Sequence, residues 1–317
     1  MAPEFQTHSL QLPASAAGLR LDQALAAALP QYSRARLQRW IRTGAVRVQG
    51  QSAVARARMH GGEQIVVEAQ FEAETGVAAQ PLPLDIVYQD RALLVLNKPP
   101  GLVVHPGAGN RAHTLQNALL AHDPALARVP RAGLVHRLDK DTSGLLIVAR
   151  TPEAHTRLVA MLAERAIGRE YLALVNGVPT GGARIEQPIG RHRSQRTRMA
   201  VRSDGREART SYRIEERFRL HTLLRVQLET GRTHQIRVHL AHVGLPVVGD
   251  PVYGGRPRLP ARASATLIAS LQGLHRQALH AERLTLSHPH SERELKFQAP
   301  LPADLSALLA ALRADRS

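Results

Sequence analysis

The sequence predicts an α+β fold, and three patterns support that class. Leu21, Leu25 and Leu29 recur every four residues, which predicts one face of a short helix. The apolar run at residues 145–149 follows a polar turn and precedes Thr-Pro, which predicts a short buried strand. Residues 180–210 are basic and interrupted by glycines, a pattern typical of hairpins with a cationic face. These patterns indicate mixed helices and strands, and they leave the order of the strands open.

The composition limits the classes of function. The 317 residues include 42 Lys and Arg against 26 Asp and Glu, so the formal net charge is +16. This charge favours a nucleic acid or another anionic surface as partner, although a basic protein without such a partner fits it too. The absence of cysteine excludes thiolate nucleophiles, disulfides and cysteine-based zinc sites. No apolar run approaches the ~20 residues of a membrane span, and residues 1–12 lack a signal pattern. We therefore expect a cytoplasmic protein that does not bind membranes.

The N-terminal residues predict a small basic unit. A first helix from Leu21 stops at Pro30, and Ser33 caps a second helix over residues 34–42. Arginines cover much of the second helix and could follow a phosphate backbone, although a solvated helix face accounts for most such stripes. They are Arg34, Arg36, Arg39 and Arg42.

The rest of the chain predicts a larger unit of strands and helices. Two strands lead into residues 97–101, Asn-Lys-Pro-Pro-Gly, whose prolines and glycine fix the backbone of a turn. The predicted strands are residues 84–88, 93–96, 169–175, 223–228 and 279–286. The predicted helices are residues 114–122, 153–165, 264–276 and 303–313.

The most informative stretch is residues 136–144, in which charged side chains precede the buried strand at 145–149. Functional residues are commonly carried by turns at the ends of rigid strands. Asp139 is therefore the first candidate for a catalytic group. Asp141 and Thr142 fit a capping turn that bonds local backbone amides equally well.

This stretch also carries a resemblance to a known family. HRLDKDTSGLLIVAR, residues 136–150, resembles the central motif of the RluA family of pseudouridine synthases, which move the ribose bond of uridine from the base nitrogen to the base carbon. Residues 97–101, 169–171 (REY) and 231–239 (GRTHQIRVH) are similar to other motifs of the family. The resemblance implies a large mixed, mainly antiparallel sheet that is flanked by helices and holds a central cleft.

The resemblance also implies a division into domains. Residues 18–68 are similar to the S4 domain, a small RNA-binding module. We expect residues 1–17 to be a flexible lead-in with little strand, and residues 69–82 to be a polar linker. The catalytic domain is then expected at residues 83–317.

The family motifs imply roles for individual residues. Asp139 matches the catalytic aspartate, and Arg237 matches the arginine that meets it and favours its ionised form. Tyr171 matches the family's tyrosine, which can stack on the base and take its proton late in the reaction. Arg137 is implied to enter the RNA helix and fill the place of the flipped base.

The implied RNA surface and substrate extend beyond these residues. The match over residues 239–258 is closest to family members that act on large-subunit ribosomal RNA. It implies that the substrate is a structured stem-loop of 23S RNA, in particular the helix 69 loop, either as free RNA or in the assembling subunit. We expect the enzyme to be a monomer. The other predicted RNA contacts are His136, Lys98, Arg34, Arg36, Arg39, Arg42, Arg191, Arg196, Arg198, Arg232 and His234.

The expected chemistry needs no metal or other cofactor. Glycoside hydrolases use two carboxylates because a water must be activated. In uridine isomerisation the detached base is itself the acceptor, so one carboxylate suffices. Whether Asp139 attacks the sugar or removes a sugar proton stays open.

Three alternatives deserve a test. His234, His239 and His242 are clustered, but they lack the cysteine or carboxylate partner typical of a metal site. Asp139 and Asp141 have the spacing of a metal-dependent glycosyltransferase, although the basic chain does not favour one. The third alternative is a non-enzymatic ribosome-assembly protein built on the S4-like unit.

Overall fold

The structure, a computed structural model, comprises a smaller and a larger unit with separate apolar cores. The predicted α+β class is confirmed, with a large mainly antiparallel sheet flanked by helices. The structure describes residues 4–29, 32, 34–71, 77–107, 110–195 and 197–315.

The smaller unit packs two helices against a four-stranded sheet of order β1-β4-β2-β3. Leu25, Leu37 and Trp40 are buried between the helices and the sheet. Pro30 and Ser33, the predicted helix stop and cap, lie outside the described residues. The elements are β1 (Glu4–Gln11), a 3-10 turn (Ala14–Ala16), α1 (Leu21–Ala28), α2 (Arg34–Arg42), β2 (Val46–Val48), β3 (Gln51–Ser52) and β4 (Gln64–Phe71).

The prediction of a lead-in with little strand over residues 1–17 is wrong where the structure describes it. β1 pairs antiparallel with β4 along its whole length, from Glu4 opposite Phe71 to Gln11 opposite Gln64. β4 also extends into the first residues of the predicted linker. β1 is stabilised by a partner strand far away in the sequence, and local patterns do not reveal such a partner.

The larger unit is built on nine strands in the described residues, ordered β5-β6-β7-β14-β8-β13-β12-β9, with β15 paired to β14. β7 is buried along its entire length, as its apolar sequence predicted. The strands are β5 (Ile86–Gln89), β6 (Leu93–Lys98), β7 (Ser143–Ala149), β8 (Gly168–Asn176), β9 (Ala183–Glu186), β12 (Arg209–Arg217), β13 (His221–Leu228), β14 (Leu279–Ser287) and β15 (Glu294–Gln298).

Helices and a separate hairpin surround this sheet. The hairpin is formed by β10 and β11 in the basic middle of the chain. The remaining elements are α3 (Leu115–His122), 3-10 turns (Pro124–Arg128 and Pro130–Gly133), α4 (Pro152–Ala163), β10 (Ile189–Arg191), β11 (Met199–Val201), α5 (Gln235–His242), α6 (Ala265–Gly273) and α7 (Ala303–Ala314).

The centre of the sheet contains a strand from late in the chain. β14 lies between β7 and β8, parallel to β7 and antiparallel to β8. Gly144 has a φ of +110°, and a Cβ at this position would lie 2.2 Å from the carbonyl oxygen of Ala281. A side chain at residue 144 would therefore prevent the parallel pairing that joins the two strands.

Candidate active site

A cleft of about 690 Å³ lies beside the sheet, between the loop that precedes β7, the end of α4, β8 and the loop that precedes α5. Its walls are basic, and Asp139 is the one carboxylate among the residues that line it in the described chain. Arg131, Arg137, Arg169 and Arg232 also line the cleft. The positive charge of such a cavity attracts a polyanion, which would then lie beside the single carboxylate.

Asp139 and Arg237 are brought together, as the family resemblance implied. Nη1 of Arg237 donates to Oδ2 of Asp139 at 3.0 Å. The side chain of Asp139 is 15% exposed and that of Arg237 is 5% exposed. The carboxylate thus faces the cleft while the guanidinium lies behind it.

The flat edge of the Arg237 guanidinium contacts a second carboxylate that the motif did not indicate. Nε and Nη2 of Arg237 donate to the two oxygens of Asp250, at 2.7 Å and 2.8 Å. Burial alone would raise the pKa of Asp250, but the hydrogen bonds from Arg237 outweigh it, and the pKa is lowered. Arg237 is therefore fixed by Asp250 and reaches Asp139 with its remaining nitrogen.

The turn that contains Asp250 organises this corner of the site. Oδ1 of Asp250 accepts the backbone N–H groups of Val252 and Tyr253 at 2.9 Å and 3.0 Å. The guanidinium carbon of Arg237 lies 5.1 Å from the centre of the Tyr253 ring, a cation–π distance. Asp250 and Tyr253 were not among the predicted site residues, although the turn at 249–255 resembles a family segment.

His234 lies on the other side of the Asp139 carboxylate. Its Nε2 is 3.9 Å from Oδ1 of Asp139, and its Nδ1 is 3.0 Å from the hydroxyl of Tyr253. The Tyr253 hydroxyl also accepts the backbone N–H of Met199 at 2.8 Å. The ring of His234 therefore lies between Tyr253 and Asp139, with Nε2 on the side of Asp139.

His234 adopts an unusual backbone conformation at the start of α5, with a φ of 56°. Non-glycine residues in this left-handed region are strained and concentrate at functional sites. Burial lowers the pKa of His234, and Asp139 partly opposes that effect, so the ring is neutral near pH 7. The predicted RNA contact of His234 stays a prediction, but its observed partners are Asp139 and Tyr253.

Tyr171 lies in β8 and lines the same cleft, with 5% of its surface exposed. Burial raises the pKa of its hydroxyl, and Asp139 adds to the effect while Arg169 opposes it. The phenol is therefore protonated at neutral pH. It can stack against a planar base or exchange a proton with one.

Lys98 was predicted to contact RNA, and this prediction is wrong. Lys98 is 1% exposed, and its Nζ donates to the carbonyls of Pro99, Leu102 and Lys140 at 2.7, 3.0 and 2.9 Å. An ammonium has three donors, and all three are used inside the protein. Lys98 therefore fastens the turn at 97–101 to the loop that carries Asp139.

Lys98 predicts a rise of stability with pH. Burial lowers its pKa to about 7, against the opposing effect of Asp141 and Asp139. Above that pH the folded protein releases a proton that the unfolded chain retains, so the free energy of unfolding rises toward about pH 9.5, by at most ~1.4 kcal/mol per pH unit. Urea unfolding at about pH 7 and at about pH 9.5 measures this change in the free energy of unfolding.

The Lys98→Met variant should lack the rise in stability, whereas Lys140→Met, at an exposed lysine, should retain it. Equal pH dependence in Lys98→Met and the parent would contradict this assignment.

His136 was also predicted to contact RNA, but its ring nitrogens are directed into the protein. Its Nε2 accepts the backbone N–H of Ile147 at 3.0 Å, and its Nδ1 is enclosed by protein. Burial, together with Arg169, lowers the pKa of His136 to about 3. His136 therefore anchors the catalytic loop to β7, while the exposed Arg137 beside it projects at the cleft.

The predicted arginine stripe on α2 is partly used within the protein. Arg34 and Arg20 both form ion pairs with the buried Asp22. Burial would raise the pKa of Asp22, but hydrogen bonds from Gln38 and Arg34 hold it at about 2. Arg36 is buried and donates to the carbonyl of Arg128 in the larger unit. Arg36 is thus used inside the protein, whereas Arg34, Arg39 and Arg42 are exposed, and their predicted contact with RNA stays a prediction.

The predicted contacts in the basic middle of the chain are dispersed. Arg191 is exposed, and Arg196 lies outside the described residues. Arg198 donates to the carbonyl of Val252 at 2.6 Å. Arg232 lines the cleft while its Nε donates to the carbonyl of Glu207. Of these four arginines, Arg232 is the one that lines the cleft in the part of the chain that the structure describes.

Arg131 is a cleft residue that the sequence did not single out. It has a φ of 53°, as does Ala132, and Gly133 follows with a φ of 82°. Arg131 and Ala132 are strained, because non-glycine residues rarely adopt this conformation, and such strain persists where the surrounding structure enforces it. The turn places the exposed Arg131 at the edge of the cleft.

Across the described ranges, no group of three or more His, Asp or Glu side chains is placed to hold a metal ion. His239 instead bonds Thr210 and the carbonyl of Gln187. In the same residues no helix has both the length and the apolar character to cross a bilayer.

Comparisons with known proteins agree with the fold. A family model described as RNA pseudouridylate synthase matches residues 92–242, and an S4 domain model matches residues 19–65. The chain is 53% identical over 304 residues to the ribosomal large subunit pseudouridine synthase D of Xanthomonas campestris pv. campestris, covering 96% of this chain and 92% of that protein. The Pseudomonas aeruginosa protein of the same name is 54% identical over 306 residues, 96% of each chain.

Solved structures support the same assignment. The human RNA pseudouridylate synthase domain containing 4 has a TM-score of 0.56 and 28% identity, over 72% of this chain and 93% of that one. Human RNA pseudouridylate synthase domain containing 1 has a TM-score of 0.54 and 29% identity, over 72% and 87%. The fold and the site thus define an RNA-modifying enzyme with an S4 domain. The chain belongs to the RNA pseudouridylate synthase family and is a pseudouridine synthase.

Proposed function

We propose that this enzyme isomerises specific uridines of large-subunit ribosomal RNA, with the helix 69 loop as its target, and that Asp139 is the catalytic carboxylate. The single observation that carries the catalytic role is the contact of Asp139 with Arg237 in a basic cleft that has no other lining carboxylate in the described chain. The names of the relatives, which are large-subunit enzymes, support the choice of RNA.

The reaction begins with the extrusion of the target uridine. Unstacking a base costs a few kcal/mol, and less in a loop than in a duplex. Arg137 is exposed beside Asp139, and its planar guanidinium can bond to the bases left behind. The flipped nucleotide then enters the cleft between Asp139 and Tyr171.

Asp139 acts on the sugar. As the bond from ribose to the base nitrogen breaks, the sugar carries positive charge, and a carboxylate beside it stabilises that charge or attacks the carbon. Arg237 donates to one oxygen of Asp139 and fixes the direction of the carboxylate, while the ring of His234 lies 3.9 Å from the other oxygen. The enclosed base rotates and re-attaches through carbon. The proton of that carbon then leaves through the Tyr171 hydroxyl, which takes it up as its own phenolic proton passes to solvent.

Release of tritium from RNA labelled at carbon 5 of uridine tests this function. We expect release from 23S RNA and from an isolated helix 69 stem-loop, and none from 16S RNA. Release from 23S RNA lacking helix 69 would overturn the choice of loop. Tight binding of 23S RNA without any release would overturn the catalytic proposal and favour an assembly protein.

The S4 domain is expected to supply affinity and not chemistry. Removal of residues 1–71 should weaken binding of structured ribosomal RNA by roughly tenfold or more, because exposed arginines such as Arg42 are lost. Turnover at saturating RNA should stay within a few-fold, since the larger unit has its own core. Filter binding and single-turnover kinetics measure the two effects. Equal affinity with and without the segment would contradict the prediction, and Arg42→Gln provides a point variant that keeps the fold.

A further inference from the structure

Arg169 is a buried cation whose side chain has no hydrogen-bond acceptor within the described chain. It is 7% exposed, and its Nε is completely enclosed. An arginine does not lose its charge inside a protein, and a buried charge without a partner is strongly unfavourable. Such a group calls for an explanation that the folded chain alone does not supply.

The other arginines that are buried to this degree in the described residues all have acceptors. Arg225, on the neighbouring strand β13, forms ion pairs with Glu170, Glu215 and Glu282. Arg237 is paired with Asp250, Arg276 with Asp304, and Arg36 with the carbonyl of Arg128. The fold therefore provides partners for buried arginines as a rule, and Arg169 is the exception.

The position of Arg169 directs it into the cleft. Arg169 and Tyr171 are two residues apart on β8, so their side chains lie on the same face of the strand, and both line the cleft. Gly231 makes room for the guanidinium, because a Cβ there would lie 3.1 Å from Nη1 of Arg169. The last turn of α4, at Leu162 and Ala163, lines the same wall and offers only the partial negative charge of a helix end.

We propose that Arg169 is the binding site for a phosphodiester group of the nucleotide whose base occupies the cleft. The inference rests on the proposed function in taking RNA as the ligand. A phosphate brings the full negative charge that a buried guanidinium lacks, and two parallel N–H bonds match its oxygens. A base carbonyl brings a dipole and would leave the charge uncompensated.

The geometry of a nucleotide agrees with this site. The ribose that meets Asp139 is bonded to phosphates on both sides, and Asp139 and Arg169 both act electrostatically on the hydroxyl of Tyr171. A phosphate at Arg169 would therefore hold the sugar while its base lies against Tyr171. The same contact explains how a cleft with a single carboxylate binds the target nucleotide in one orientation.

A neutral linkage in the RNA tests the contact directly. In a stem-loop substrate, the linkages on the 5′ and 3′ sides of the target uridine are replaced, one at a time, by methylphosphonate. With the parent enzyme, one replacement should lower kcat/KM by about tenfold or more, the effect of losing a charge-assisted hydrogen bond. Arg169→Gln should lose as much on natural RNA and be insensitive to that replacement. Arg91→Gln, at an exposed arginine in the turn between β5 and β6, is the control. It removes the same charge as Arg169→Gln and should behave like the parent.

Two results would overturn the proposal in this experiment. One is an Arg169→Gln enzyme that is as sensitive to the neutral linkages as the parent. The other is a parent enzyme that is insensitive to both linkages while it releases tritium normally. A parent enzyme that releases no tritium from any RNA would instead refute the proposed function.

A second measurement does not depend on activity. Inorganic phosphate, compared with chloride at equal ionic strength, should raise the thermal midpoint of the parent and of Arg91→Gln but not that of Arg169→Met. Without phosphate, Arg169→Met should be at least as stable as the parent, because the replacement removes an unpaired buried charge. A large loss of stability in Arg169→Met, with the phosphate effect retained, would make Arg169 a structural residue and overturn the site.

Discussion

Asp139→Asn is expected to abolish isomerisation, with a fall in kcat of about four orders of magnitude or more. The amide keeps an oxygen that can accept the hydrogen bond from Arg237, so the site keeps its shape. It lacks the negative charge that acts on the sugar. The affinity for RNA should stay within a few-fold, because the arginines of the cleft and its surroundings supply it. Tritium release in single turnovers and filter binding measure the two quantities.

Asp141→Asn is the matched control for this variant. It makes the same chemical change two residues further on, at a carboxylate that does not line the cleft. Its turnover should remain within a few-fold of the parent. Near-normal turnover of Asp139→Asn would end the catalytic assignment, and an equal loss in Asp141→Asn would show that the loop and not the single carboxylate is responsible.

Arg237→Lys is expected to damage both activity and stability, although the charge is kept. The guanidinium makes three hydrogen bonds, two to Asp250 and one to Asp139, and a compact ammonium cannot span both carboxylates. Breaking a buried pair destabilises by on the order of 3 kcal/mol. Turnover should fall about a hundredfold, because Asp139 loses its direction by an ångström or so.

The Asp250→Asn variant separates the loss of the guanidinium from the loss of its orientation. It keeps Arg237 and removes the negative charge of Asp250 that orients the guanidinium. Because the two residues act as one unit, the losses in Arg237→Lys and Asp250→Asn should be strongly non-additive in the double variant. In Arg237→Lys the salt dependence of RNA binding should equal that of the parent, because Arg237 bonds to carboxylates and not to RNA phosphates. Near-normal turnover of Arg237→Lys combined with weaker RNA binding would move Arg237 to the phosphate-binding surface.

Much of the secondary structure could be predicted because the apolar segments end at the same positions as the turn, proline and helix-capping residues. β7 is a short apolar run between a polar turn and a proline, and α4 begins at that proline with Thr151 as its cap. α5 could not be predicted in this way. It begins at a left-handed His234 and buries polar residues such as Gln235, so its pattern does not read as an amphipathic helix.

The residues of the site could be predicted where they belong to a family motif. The contact of Asp139 with Arg237 agrees with the implied pairing. The partners of buried charges were not predictable, because tertiary structure decides them. Lys98 looked like a surface cation, yet three carbonyls enclose it, and the fork of Arg237 points at Asp250. A sequence shows the charged groups of a site but not the distances that pair them.

The insertion of β14 between β7 and β8 has a consequence for biosynthesis. A ribosome delivers the chain from its N-terminus, and units fold in that order when their cores are complete. The S4 domain has its own core and can fold early. β7, which follows the loop of Asp139, can pair with β6 as soon as both have emerged, but it gains its second neighbour only when residues 279–287 have emerged. Long-range strand pairing of this kind is slow to form. A growing or prematurely ended chain can therefore hold RNA through its folded first domain, and it acquires the geometry for isomerisation only near the end of translation.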